Sequence, residues 1–489
     1  MARKVRVNPG RGSTILSRER VEENPFRRRI RNLQIMTFGA SFVVVIVLFL
    51  IILYRVNMFS QDKAPLSDVV NGERNKISGS IFDRNDKLIA KGKNVNGIIN
   101  VKSDSLSNLL GVPVGHSKSY FYLRTALGED LYSVGNPLKS LLGSSLLSTT
   151  SKGNDVKLTI DSELNDYIYQ EIKESTSEIA VALVYDYETG EVVSNVSYPD
   201  YNISGSKYKD LLGKNKLISK EKKGAAGVNR CVSEVYLPAS AIKPILYASI
   251  FTLDKNLMSK NYYCNGSYPN GDKKPITDKG HKEIGLYRAI AISCNIYPQK
   301  LGEEISDEKL EAFIEKKLQL NNGKLSTQEG LYYYSGVLDI SDKYEKAMTM
   351  IGEGNARISP LMLARLYGAI LNKGKVVTPH YTFTGNVESS SIFDADVCSE
   401  VLEGMRWAVT KDYGTCKLLA DVNCGDATIY AKSGTGDDKN RTSWCISGVK
   451  NADKKYVVLT GVFSAKSGNA TSNAKTLNKT ILNKIYGKN

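Results

Sequence analysis

Tyr236-Leu237-Pro238-Ala239-Ser240-Ala241-Ile242-Lys243 leads straight into an apolar segment in which Leu246, Ile250 and Leu253 recur at helical spacing. If Ser240 stands at the start of that helix, Lys243 lies one turn on and on the same side. A serine hydroxyl becomes a useful nucleophile when a neighbouring base takes its proton, and an amine can do so once desolvation or a nearby cation lowers its pKa. The string is not unique here. Ser204 with Lys207 and Ser306 with Lys309 repeat it in polar surroundings, and a serine at a helix start is equally a cap.

Outward from this stretch, two further strings alter the reading. Ser293-Cys294-Asn295 ends a helical segment, and Lys432-Ser433-Gly434-Thr435 sits on a strand. Strings of these three kinds, in this order, are the signature of penicillin-recognising serine enzymes. Lys466-Ser467-Gly468 competes for the third place, but Asn469 follows it and only a terminal helix remains. Lys432 is followed by Trp444 and two more strands, so Lys432 is the expected member.

The surrounding pattern predicts an α+β fold. Residues 156–161 read as a strand ending in a helix cap, and the helix after it carries Leu164, Tyr167, Ile168 and Ile172 at helical spacing. Residues 180–187 and 192–197 are strands joined by a turn at Thr189-Gly190, and strands return only at 427–434, 442–449 and 456–463. Mostly helical segments lie between the two sets. A last helix places Leu477, Ile481 and Ile485 on one face. Early strands, middle helices and late strands imply one antiparallel sheet flanked by helices, with distant parts of the chain meeting in it. Residues 77–90 predict a hairpin around Asn85-Asp86 within a small mixed module that runs to about residue 155.

The formal charge of +15 over 489 residues is uneven, because ten Lys or Arg against three Glu fall in residues 1–31. Residues 32–54 carry no charge and are apolar on every helical face, which predicts a membrane-spanning helix and not a buried amphipathic one. Arg27-Arg28-Arg29 and Arg31 precede it, so the N-terminus is expected in the cytoplasm and everything after about Arg55 outside. The expected divisions are a basic tail 1–31, a transmembrane helix 32–54, a pedestal module 55–155 and a catalytic domain 156–489. The basic tail beside an apolar run points to a membrane surface and away from nucleic acid. All seven cysteines lie in the exported part. Cys416 and Cys424 close a small loop and are either a disulfide or two separate thiols. No cofactor or metal is expected, since no C-x-x-C pair or His-rich cluster occurs; Cys264, His281 and Cys294 are the residues that could meet around zinc.

From residue 77 to the C-terminus the sequence resembles the class B, monofunctional penicillin-binding proteins. Family-like passages include 77–90, 158–161, 189–191, Ile351-Gly352-Glu353-Gly354, Ser359-Pro360-Leu361 and Asn372-Lys373-Gly374. The short first module resembles the actinobacterial-type elongation subgroup. The resemblance implies a pedestal and a transpeptidase domain that cross-links the stem peptides of glycan strands made from lipid II, in bacterial cell-wall and cell-shape synthesis. It implies that Ser240 attacks the penultimate D-Ala carbonyl with Lys243 as base. Ser293 would relay a proton to the leaving D-Ala, Asn295 would position the substrate amide and Lys432 would supply positive potential. Ser433 and Thr435, flanking Gly434, would hold the terminal carboxylate, and the backbone N–H groups of Ser240 and Thr435 would form the oxyanion hole. β-Lactams would acylate the same serine. A multi-span glycan polymerase of the shape, elongation, division and sporulation family is the implied partner.

Two residues depart from the family pattern: Ala239 stands where glycine is usual, and Pro244 follows Lys243. Other functions on the same fold are a D,D-carboxypeptidase, a β-lactamase and a non-catalytic β-lactam-binding scaffold. Glu315-Lys316-Lys317-Leu318-Gln319 faintly resembles a β-lactamase deacylation loop, but Leu310, Phe313, Ile314 and Leu318 fit a helix face.

Overall fold

Ile179–Asp186 is an almost continuous apolar run, and such a strand is stable only when both of its faces are covered. In the computed structural model its interior residues are all buried. Residues 25–61, 78–92, 100–101, 105–111, 122–132, 153–176, 179–200, 227–383, 387–437, 441–464 and 470–488 are described. The Ser204–Lys207 pair, the Lys466-Ser467-Gly468 string and the tail before residue 25 lie outside them.

Ile179–Asp186 belongs to a five-stranded sheet in the order Thr428–Asp437, Arg441–Lys450, Tyr456–Ser464, Ile179–Asp186, Val192–Tyr198. Every neighbouring pair is antiparallel. Strands from early and late sequence therefore share one sheet, as their order predicts. Alternate residues face opposite layers. Leu183, Tyr185, Ile446, Val457 and Leu459 pack with Lys243–Leu253 and Pro360–Leu371, while Ala182, Val184, Cys445 and Val458 pack with Ser162–Ser175 and Ala470–Tyr486. Ser162–Ser175 begins where the Asp161 carboxylate accepts the Glu163 and Leu164 N–H groups, as a helix cap does.

Ahead of this sheet, Ile81–Phe82 and Leu88–Lys91 form the expected hairpin, with Asp86 at φ 62 in its turn. Val156–Lys157 adds to the same small sheet, parallel to Ile81–Phe82. A boundary at residue 155 therefore runs through a sheet, and residues 65–489 make one compact unit. The buried carboxylate of Asp83 ties the module to the next helix by accepting the Ser162 hydroxyl at 2.6 Å.

The N-terminal unit, residues 1–64, contains the helix Pro25–Gln61. Its apolar span, Arg29–Phe49, is 21 residues long with a mean hydropathy of 2.0. At 1.5 Å per residue this is about 30 Å, the thickness of a bilayer's hydrocarbon. The helix is longer at both ends than the uncharged stretch, because the arginines that flank it are good helix formers and do not stop it.

Candidate active site

Ser240 lies on a tight turn, Ala239–Ile242, that continues into the helix Lys243–Leu253. Backbone and side chains fasten this turn from several directions. Tyr236 exchanges backbone hydrogen bonds with Ile358, the Trp444 indole donates to the Leu237 carbonyl at 2.9 Å, and the Ala239 N–H donates to the Gly352 carbonyl at 2.9 Å. The Tyr367 hydroxyl donates to the Ala241 carbonyl at 2.6 Å. Gly352 must be glycine, since a Cβ there would sit 2.0 Å from the Ala239 oxygen. Ala239 takes φ 49, a left-handed conformation that costs an L-residue about 1–2 kcal/mol. The usual glycine would adopt it freely. Pro244 falls in the helix's first turn, where its missing N–H has no partner to lose.

The Lys243 side chain is fully buried. Its ammonium donates to the carbonyls of Ser293 and Cys294, each at 2.9 Å, and to Asn295 Oδ1 at 2.7 Å. All three acceptors belong to the turn after the helix Leu286–Ala291, where Ser293 holds φ 62 and Asn295 opens the helix Ile296–Glu303. The Asp278 carboxylate receives the Asn295 N–H at 2.6 Å and so fixes that corner. On the opposite side of Ser293, the buried Lys432 donates to the Ser293 hydroxyl at 2.8 Å and to the Ser433 carbonyl at 2.7 Å.

These contacts join the three strings into one chain of groups running from Lys243 through the Ser293–Asn295 turn to Lys432. Burial lowers the Lys243 pKa to about 8, against smaller opposing effects of Cys294, Asp278 and Glu353. Burial also brings Lys432 down to about 7, helped by repulsion from Lys243. A buried amine with a depressed pKa is what proton removal from a serine requires.

The strand Thr428–Asp437 lies across the serine turn at the edge of the sheet. A Cβ on Gly434 would stand 2.8 Å from the Ala241 nitrogen and 3.1 Å from the Pro238 oxygen, so glycine permits the approach. Ser433 is half-buried and Thr435 exposed. Their strand is held in register by Cys445 and Ser443 of the next one.

The rival strings resolve differently. The Ser306 hydroxyl caps Asp307–Lys316 by accepting the Lys309 N–H, and the same helix buries Leu310, Phe313 and Ile314, as the helix-face reading expects. All seven cysteines are free thiols. The fully buried Cys416 hydrogen-bonds with Cys445 and Ser433, and Cys424 donates to the Ala427 carbonyl. Cys264, His281 and Cys294 do meet: their donor atoms lie within 4.8 Å of one another, with 3.7 Å between the sulfurs and 3.4 Å from Cys264 Sγ to His281 Nδ1. Two thiols and an imidazole are the donor types zinc takes, and Asp278 lies 3.7 Å from His281 Nε2. Asp278, Trp444, Tyr367 and the Ala239 conformation belong to no string, and only the passage Gly352-Glu353 offered a signal for its part of the site.

Residues 180–487 match the family model of the penicillin binding protein transpeptidase domain. The chain belongs to that family. It is 26% identical to the peptidoglycan D,D-transpeptidase FtsI of Buchnera aphidicola over 288 residues, which cover 57% of this chain and 47% of that protein. It is 24% identical to the peptidoglycan D,D-transpeptidase MrdA of Salmonella typhimurium over 247 residues, 47% of this chain and 38% of that one. The chain thus spans half or less of the length of these relatives. The class B assignment agrees with them. Among solved structures, PBPA of Mycobacterium tuberculosis superposes with a TM-score of 0.69 at 17% identity, covering 83% of this chain and 98% of PBPA. The D,D-transpeptidase domain of a peptidoglycan glycosyltransferase from Eggerthella lenta gives 0.66 at 18% identity, covering 84% and 99%. These likenesses fix the fold: an α+β penicillin-binding transpeptidase domain.

Proposed function

We propose that the chain is a peptidoglycan D,D-transpeptidase that works through an acyl-enzyme on Ser240. The observation that carries this reading is the buried Lys243 ammonium, bound to the Ser293–Asn295 turn, with Lys432 on the Ser293 hydroxyl. In the first half-reaction neutral Lys243 takes the Ser240 proton, and the oxygen attacks the penultimate D-Ala carbonyl. The Ser240 and Thr435 N–H groups receive the developing oxyanion. The Ser293 hydroxyl, polarised by Lys432, hands its proton to the leaving D-Ala nitrogen and recovers the one Lys243 took, which leaves Lys243 neutral again, while Asn295 positions both Lys243 and the substrate amide. Ser433 and Thr435 take the terminal carboxylate in the positive potential of Lys432. In the second half-reaction a stem-peptide amine attacks the ester, the new amide forms and Ser240 regains its proton.

The apolar helix supports a membrane association, and names of the relatives support peptidoglycan as the substrate. The finer reading has one crossing, the N-terminus in the cytoplasm and residues after about 55 outside. A multi-span glycan polymerase supplies nascent strands through the helix and the pedestal, because holding both reactants together supplies much of the rate. Fluorescent penicillin followed by peptide mapping tests the reading. A single adduct on Ser240 is expected, with acyl transfer to an added amine faster than to water. An adduct elsewhere, or turnover of penicillin by water alone, refutes it.

A further inference from the structure

Cys264 ends the strand Tyr262–Cys264, His281 stands just before its partner strand Lys282–Ile284, and Cys294 lies inside the Ser293–Asn295 turn. Three separate segments thus bring two thiols and an imidazole to one point, where their donor atoms lie within 4.8 Å of one another. The spacing has the dimensions of a coordination site. With Zn–S about 2.3 Å and Zn–N about 2.0–2.1 Å, a tetrahedral centre sets its sulfurs about 3.8 Å apart and a sulfur and a nitrogen about 3.5–3.6 Å apart. Cys264 Sγ is 3.7 Å from Cys294 Sγ and 3.4 Å from His281 Nδ1.

The groups around the cluster are those that hold metal ligands in place. The Ile296 and Tyr297 N–H groups, at the start of the helix Ile296–Glu303, donate to Cys294 Sγ at 3.4 Å each. Such donors add little to a thiol and stabilise a thiolate, the form that binds metal. Behind the imidazole, Asp278 Oδ1 lies 3.7 Å from His281 Nε2, while its other oxygen accepts the Asn295 N–H. A carboxylate facing the far nitrogen fixes the ring of a ligating histidine and leaves Nδ1 to the metal. Both cysteines are buried, whereas His281 is partly exposed and gives a path in from solvent.

We propose that Cys264, Cys294 and His281 Nδ1 bind one zinc ion, which clips the Tyr262–Cys264 hairpin to the turn that holds Lys243. Water takes the fourth position. The ion takes no part in the acyl transfer proposed above; it holds the turn whose Ser293 and Cys294 carbonyls accept from Lys243. In the test, tag-free full-length protein in detergent, kept reduced with a phosphine, is stripped with a chelator and dialysed against zinc chloride. Elemental analysis should find one zinc retained per chain, and cobalt(II) in its place should give the thiolate charge-transfer and d–d absorption of a tetrahedral centre. In competition with a chromophoric chelator, Asp278→Asn should weaken zinc binding about 10–100-fold. Cys264→Ser and His281→Ala should weaken it further, and Cys424→Ser, outside the cluster, should leave it unchanged. Zinc should raise the melting temperature of wild type and not that of His281→Ala. No retained zinc, a cobalt spectrum without the thiolate band, or undiminished binding in Cys264→Ser or His281→Ala overturns the proposal. A Cys264–Cys294 disulfide in protein alkylated at cell lysis overturns it as well. Zinc retention and the cobalt spectrum of wild type decide if the variants do not fold. Every readout is of metal and none of acylation, so failure here leaves the functional reading standing.

Discussion

Lys243 and Lys432 grip one residue from two sides, the first on the Ser293 carbonyl and the second on its hydroxyl. Burial holds them to about 8 and about 7, and the proposed acylation needs them in opposite states. Lys243 must be neutral to take the serine proton, and Lys432 charged to face the substrate carboxylate. Two interacting amines lose their protons in two macroscopic steps, and the competent form is the singly protonated one with its proton on Lys432, the smaller share of that form because Lys432 lies below Lys243. Acylation by penicillin should therefore rise with pH as the first proton leaves near neutrality and fall as the second leaves, around pH 8 or above. The magnitude follows from the shift. At pH 7 a lysine at its ordinary 10.5 is neutral in about one molecule in three thousand, whereas one at about 8 is neutral in about one in ten. Burial thus raises the neutral fraction of Lys243 about three-hundredfold. Stopped-flow acylation with a fluorescent penicillin, from about pH 6 to about pH 9, measures the profile. Lys432→Arg should abolish the descending limb, because arginine does not deprotonate in this range. A flat wild-type profile, or a descending limb that persists in Lys432→Arg, refutes the shared-proton argument.

Ser240→Ala should lose all penicillin labelling while keeping its melting temperature, since one half-buried hydroxyl is removed; residual labelling at wild-type stoichiometry would remove Ser240 as the nucleophile. Ala239→Gly relieves φ 49 and gives back part of that gain as chain entropy, so thermal melts should show about 0.5–1 kcal/mol of added stability, and lost stability would contradict the strain. Trp444→Phe keeps most of the buried ring but orphans the Leu237 carbonyl, so denaturant unfolding should register a loss of about 1–3 kcal/mol. The same variant should acylate more slowly, because Leu237 leads into the serine turn, and an unchanged acylation rate would release Trp444 from that role.

What could be read from the sequence has a physical reason. A strand buried on both faces must be apolar throughout, so 180–187 and 456–463 announced themselves, and their separation in sequence already required a sheet closed by distant segments. The three strings were legible because the groups proposed to touch the reacting atoms must be particular residue types at fixed offsets along a helix, a turn and a strand. The parts that escaped act through geometry. Asp278 aims one carboxylate at one N–H, and nothing in its neighbourhood repeats with a period. Trp444 and Tyr367 are core residues, and their polar atoms on the Leu237 and Ala241 carbonyls depend on packing between segments more than a hundred residues apart. The pairing of Val156–Lys157 with Ile81–Phe82 was not legible, because a two-residue strand has no pattern to say which sheet it joins.

Cys264 and His281 follow the same logic from the other direction. Neither residue belongs to a recognisable ligand spacing, since thirty positions separate the two thiols in sequence, yet a short antiparallel pairing of Tyr262–Cys264 with Lys282–Ile284 brings Cys264 and His281 side by side. Cys294 arrives there because it occupies the middle of the Ser293–Asn295 turn, with its side chain buried beneath the turn while its carbonyl faces Lys243. The residue between the serine and the asparagine thus joins the turn that holds Lys243 to the Cys264–His281 cluster. A shift of the Cys294 backbone therefore moves both a thiol of that cluster and a carbonyl that holds Lys243.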